Sequence, residues 1–109
     1  MDKGELWVVS FPLRKGREQS GNRPAVIMAD TMTDIVLAVP LTSNLQALEE
    51  FSFTLGIRKS QRNQLDKDSV ALIFQLQAVD KKRLVHKMGN LEDSDLEQIN
   101  KKLRDLLKL

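Results

Sequence analysis

The sequence predicts a mainly β fold: a small antiparallel barrel or half-barrel capped by one C-terminal α-helix. Two features point there. Short apolar and β-branched runs recur as far as Met88, each closed by Pro, Gly or a cluster of turn residues. Beyond Asn90 the apolar spacing switches to the threes and fours of a helix. With 109 residues there is one domain, residues 1–109, so these elements must share a modest core.

Leu6-Trp7-Val8-Val9-Ser10-Phe11 reads as the first strand, ended by Pro12, which cannot donate to a ladder. Residues 12–23 form a long polar connection. Ala25 to Ala29 is continuously apolar, as a strand covered on both faces should be, and Asp30-Thr31-Met32-Thr33-Asp34 is a turn. Ile35 to Val39 reads as a third strand closed by Pro40, with Thr42 and Ser43 just past its end. Phe51-Ser52-Phe53-Thr54-Leu55 alternates at period two and predicts a half-buried strand ended by Gly56, followed by a loop to Asp68 too polar for the core. Ser69 to Leu76 is the longest candidate and is expected at the centre of the sheet. Ala78 to Arg83 reads as a turn or one helical turn, and Leu84 to Met88 as a short strand ended by Gly89. Ser94-Asp95-Leu96-Glu97 predicts a capping box. Leu96, Ile99, Leu103, Leu106 and Leu107 then form one apolar stripe that must dock on the sheet.

Composition narrows the chemistry. The chain has no cysteine and a single histidine, which removes disulfides, zinc-thiolate sites and thiol catalysis, and no metal is expected. No apolar run approaches the ~18 residues of a membrane span and no secretory leader is visible, so a cytoplasmic protein without membrane contact is expected. Net charge is +2, a weak pointer to polyanions, but its distribution is uneven. Lys3, Arg14, Lys15, Arg17 and Arg23 cluster early, against Glu5 and Glu18, and Arg58, Lys59 and Arg62 share a stretch without an acid.

The segment Gly16-Arg17-Glu18-Gln19-Ser20-Gly21-Asn22-Arg23-Pro24 concentrates candidate chemistry. Proline biases its predecessor towards an extended conformation, so Arg23 is expected at a strand entrance. A placed guanidinium offers a planar fork of donors to phosphate oxygens. Thr42 follows a strand end, and in neighbouring antiparallel strands those two ends lie on one side of the sheet, with Glu18 able to reach in from the loop. The same residues suit a plainer role, as a solvated ion pair and a turn cap. His86 reads as structural and Trp7 as core. No serine-histidine pair and no phosphate-binding GxxxxGK run is present.

Gly4-Glu5-Leu6-Trp7, Glu18-Gln19-Ser20-Gly21-Asn22-Arg23-Pro24-Ala25-Val26, Val39-Pro40-Leu41-Thr42-Ser43, Asp68-Ser69-Val70-Ala71 with Gln75, and Asp80-Lys81-Lys82-Arg83-Leu84 together resemble the MazF/PemK toxins of toxin-antitoxin systems. The likeness spans essentially the whole chain, with its blocks in the family's order. It implies an SH3-like barrel and a homodimeric, sequence-specific endoribonuclease that cuts single-stranded RNA without cofactor or metal and is silenced by a cognate antitoxin. It implies Arg23 and Thr42 as the catalytic pair, and Glu18 as the matching glutamate. The chain departs from the pattern at Asn22, where some members carry histidine, and at Phe74, where an acid often precedes the glutamine.

Elementary chemistry fits. RNA can be cut by its own 2′-hydroxyl, so the protein need supply only a proton acceptor, charge stabilisation and alignment. Glu18 is the provisional base, Arg23 the stabiliser of the pentavalent phosphate and Thr42 a hydroxyl donor. Arg14, Lys15, Arg17, Arg58, Lys59 and Arg62 are candidate RNA-backbone contacts, with Gln19 and Gln64 for base edges and Ser43 and Gln75 from the matching blocks. Two other readings are a gyrase poison of the CcdB type, which has no use for a phosphate-cleaving set, and an inert RNA-binding relative.

Overall fold

The computed structural model describes residues 1–11 and 21–109. Its strands are β1 (Glu5–Phe11), β2 (Gly21–Asp30), β3 (Ile35–Thr42), β4 (Thr54–Ile57), β5 (Ser69–Leu72), β6 (Gln77–Asp80) and β7 (Leu84–Asn90), with helices α1 (Ala47–Glu50) and α2 (Asp93–Leu107). They form one antiparallel sheet in the order β4-β5-β3-β2-β1-β7, with β6 also on β3. Among the described residues no helix is long and apolar enough to cross a membrane.

The continuous apolar run of β2 is explained by burial on both faces. Val26 and Met28 join Leu6, Val39, Leu41, Leu91 and Ile99 in one cluster, while Ala25 and Ile27 join Val9, Phe11, Val36, Ala38 and Val79 in another. Helix α2 covers the first cluster through Ile99, fully buried, with Leu96 and Leu103 beside it. Leu107 is 54% exposed, so the apolar stripe does not dock along its whole length.

β2 and β3 are both longer than the sequence suggests. β2 takes in Arg23 and Pro24, and β3 runs through Pro40 to Thr42. The reason lies in the register. The β2–β3 ladder ends at Ala25 opposite Pro40; beyond it β2 remains paired with β1, where Val8 faces Pro24 and Val9 faces Arg23, and β3 pairs instead with β5. Each proline thus falls where a missing N–H costs no shared ladder bond.

Other expectations need correction. The period-two run at Phe51 is not a strand from its start, because Phe53 adopts a left-handed φ of 57° that breaks the extended chain. Phe51 packs on Ala47, Val70 and Leu72, its ring 5.0 Å from that of Phe74, and the strand runs from Thr54 through Gly56 to Ile57. The run from Ser69 to Leu76 is cut by a 3-10 turn, Ile73–Gln75, and Gln77 to Asp80 is strand; β3 rather than this segment holds the centre, with β5 and β6 end to end along it. The capping box at Ser94 does not form, since the helix starts at Asp93 after Glu92, without a side-chain cap. Glu92 instead accepts from Ser60 Oγ at 2.8 Å.

That last bond belongs to the connection between β4 and β5, which joins the two edges of the sheet. Its pivot is Asn63, fully buried although the stretch reads as too polar for core. Asn63 Nδ2 donates to the Arg58 carbonyl at 2.9 Å, and its Oδ1 accepts from the N–H groups of Ser60 and Leu65 at 2.9 and 3.0 Å. The Asn90 N–H of β7 donates to the Arg62 carbonyl at 3.0 Å, closing the barrel through a loop rather than a ladder. Gly89, expected to end β7 but lying inside it, is what permits the approach: a Cβ there would overlap the Arg62 carbonyl. At the start of β1, Glu5 accepts from the Trp7 indole N–H at 2.9 Å and the Asp2 N–H at 2.7 Å. Burial pushes its pKa up, but those two bonds, with the charges of Lys87 and the N-terminus, outweigh it and hold the carboxyl below its ordinary value.

Gly89→Ala should destabilise the fold by about 1–3 kcal/mol in urea unfolding, as overpacking against backbone does. Gly56→Ala, whose Cβ would meet only Leu48 at 3.5 Å, should change little. Glu5→Gln should cost about 1–2 kcal/mol at pH 7. Because the folded-state pKa is depressed, the carboxylate's contribution is complete above the unfolded value and is lost as pH falls through the folded one. The gap between wild type and Glu5→Gln should therefore narrow on acidification, as urea melts across that range would record.

Candidate active-site cleft

Where the β2–β3 ladder stops, a cleft of about 280 Å³ opens. One wall is Asn22, Arg23 and Pro24, the other Leu41, Thr42 and Ser43, with Leu65, Asp66, Lys67, Ser69 and Met88 completing it. Continuing the register two residues past Ala25 and Pro40 sets Arg23 across from Thr42, so strand geometry alone brings the two side chains to one opening.

Arg23 is half-exposed, its backbone fixed opposite Val9. Thr42 is only 8% exposed and its backbone is fixed opposite Val70. Its Oγ1 accepts from the Asn44 N–H at 3.2 Å, which occupies a lone pair and leaves the hydroxyl proton available to a ligand. Apolar Leu41, Leu65 and Met88 back this polar mouth, an arrangement that strengthens electrostatic contacts relative to water. Ser69 Oγ donates to the Lys67 carbonyl at 3.0 Å and steadies the Asp66-Lys67 rim. The cleft can hold an anion between a guanidinium and a hydroxyl. Among the described residues no three His, Asp or Glu gather as metal ligands.

Of the candidates from the sequence, the cleft gathers Arg23, Thr42 and Ser43. Glu18, Arg14, Lys15, Arg17 and Gln19 lie outside the described residues. The flanks of that segment, Phe11 and Gly21, face each other in the β1–β2 register, next to Asn22 of the cleft wall. Arg58, Lys59, Arg62 and Gln64 are exposed on the β4–β5 connection but do not line the cleft. Arg62 is bound to Asp93 at 3.0 Å, and Arg58 borders a separate apolar groove with Leu45 and Leu48. Gln75 sits in the 3-10 turn, its carbonyl accepting from the Gln77 side chain at 3.2 Å, and is also outside the cleft lining. His86 is exposed on the edge strand rather than packed as a structural residue.

Lys67, Asp66 and Met88 were not legible as cleft residues. Lys67 stands two residues ahead of β5, and only the pairing of β5 with the end of β3 carries it to Thr42. The adjacency of a polar Asp66-Lys67-Asp68 run to a strand start is the one signal the sequence offers.

The sequence matches, over residues 2–107, the family described as PemK-like, MazF-like toxin of type II toxin-antitoxin system. It is 30% identical over 104 residues to the endoribonuclease MazF of Staphylococcus saprophyticus, covering 92% of this chain and 85% of that protein. Its fold is similar to a crystal structure of MazF from Deinococcus radiodurans, with a TM-score of 0.81 at 23% identity over 100% of this chain and 97% of the other. A mycobacterial endoribonuclease in complex with its cognate antitoxin aligns with a TM-score of 0.72 at 18% identity, over 98% and 94% of the two chains.

Proposed function

The chain belongs to the PemK-like, MazF-like toxin family of type II toxin-antitoxin systems, and from that premise we propose how its cleft cuts single-stranded RNA. The activity is that of an endoribonuclease toxin. The observation that carries the reading is the meeting of Arg23 and Thr42, from different strands, in one open cleft.

In the proposed reaction the 2′-oxygen of one nucleotide attacks the adjacent phosphorus. A bond from O2′ to phosphorus forms and the bond from phosphorus to O5′ breaks, leaving a 2′,3′-cyclic phosphate and a 5′-hydroxyl. The proton of the 2′-hydroxyl passes to a base, the role assigned to Glu18, and the leaving oxygen takes one from water. Arg23, a guanidinium and therefore a poor proton donor, stabilises the negative charge that grows on the non-bridging oxygens. Thr42 donates its hydroxyl proton to one of those oxygens and aligns the phosphate. Nothing in this sequence of bonds calls for a metal.

The complex of a structural relative with its cognate antitoxin supports an antitoxin as the protein partner here too. An acidic, partly disordered antitoxin segment that folds across the cleft would exclude RNA. A homodimer is the assembly that family membership supports.

With a single-stranded RNA pool in the presence of a chelator, Arg23→Ala should lower the cleavage rate by about 10²–10³-fold or more, the usual cost of removing a transition-state donor. Thr42→Val should lower it less, while Thr42→Ser, which keeps the hydroxyl, should retain most of it. Cleavage by Arg23→Ala at the wild-type rate refutes the assignment.

A further inference from the structure

We propose that the turn before β7 forms a second, non-catalytic contact for single-stranded RNA, in which Lys82 and Arg83 hold the strand flanking the linkage in the cleft. This rests on the ribonuclease reading above.

The register supplies the geometry. Val9 of β1 faces Arg23 on one side and Leu84 on the other, so Arg83 lies next to the row that carries Arg23, two strand spacings or roughly 10 Å across the sheet. Its guanidinium turns back towards β1, where Nη1 is 3.4 Å from the Ser10 carbonyl. Ser10 in turn faces Asn22, a wall of the cleft. The basic turn is therefore continuous with the cleft through one intervening strand.

The turn is also rigidly held. Asp80 accepts from the Lys82 N–H at 2.9 Å, the Lys81 N–H donates to the Asp34 carbonyl at 2.8 Å, and Lys81 Nζ is bound to Asp30 at 2.9 Å. That last pair neutralises Lys81 and leaves its neighbours. Among the described residues the carboxylates in ion pairs are Asp30 and Asp93, and neither is bound to Lys82 or Arg83. Lys82 and Arg83 are both exposed, well away from the Gly89–Asn90 end of β7 where the β4–β5 connection closes on the strand. On the β4–β5 connection, by contrast, Arg62 is already compensated by Asp93. A polyanion longer than the cleft meets uncompensated positive charge on the β7 side, and single-stranded RNA is bound by such fixed cations lining its backbone.

The test compares the shortest RNA the wild type cuts with the same RNA extended on both sides, each made uncleavable by a 2′-O-methyl group at the cut position. Wild type should bind the extended RNA more tightly. Lys82→Gln/Arg83→Gln should lose about tenfold of that advantage, with a salt slope shallower by about 0.7 per contact removed, while cleavage of saturating short RNA is unchanged. Wild-type affinity of the variant for the extended RNA overturns the proposal, as does equal weakening for both lengths, which would place these residues in the cleft or the fold. Loss of binding to poly-glutamate with RNA binding intact overturns it in favour of a protein partner. If the wild type cuts no RNA, the ribonuclease reading falls first; if it cuts but gains nothing from the extension, only the flanking contact falls.

Discussion

One ladder ends between two prolines, and the cleft opens where it stops. Pro24 and Pro40 cannot donate backbone hydrogen bonds, and the β2–β3 pairing ends at Ala25 opposite Pro40. Past this point β2 stays with β1 while β3 turns to β5, so two strands that share a register part company. The residues just beyond, Arg23 and Thr42, line the cleft that opens there. A guanidinium and a hydroxyl are thereby positioned by backbone pairing to different neighbours, which suits the proposed alignment of a phosphate.

The rest of the chain keeps that parting fixed. The β4–β5 connection, organised around buried Asn63, reaches the far edge of the sheet and bonds to β7 at Asn90, where Gly89 lets two backbones touch. The same connection contributes Leu65, Asp66 and Lys67 to the cleft. Barrel closure and site construction are thus one structural event, and a substitution that loosens the seam also loosens one side of the site. Helix α2 contributes from behind, its Ile99 sealing the cluster that includes Val26, Leu41 and Leu65.

Most of the fold was legible because its signals are local. The apolar run of β2, the proline-bounded strands and the change of period before α2 each report burial directly. The misreadings share a cause: pattern within a segment says nothing of which strand it meets. Phe51 and Phe53 alternate as a strand would, yet a left-handed Phe53 lets both rings pack while the chain turns. The run from Ser69 to Leu76 looks like one long central strand, but only Ser69–Leu72 pairs with β3; the chain then turns at Ile73–Gln75 and returns to β3 further along as β6. Within the site, Arg23 and Thr42 were legible because prolines mark their places in the sequence. Lys67 and Met88 reach the cleft only through tertiary pairing, and Arg62 looks like a ligand contact until Asp93, thirty-one residues on, is seen beside it.

The central claim is that Arg23 and Thr42 act on the same phosphate. A double-mutant cycle on single-turnover cleavage, with Arg23→Ala, Thr42→Val and the two combined, tests it most directly, because groups that serve one transition state are not independent. The account predicts that the combined variant is slowed by clearly less than the product of the two single effects. Rate losses that multiply fully would show two side chains working separately, and would contradict it.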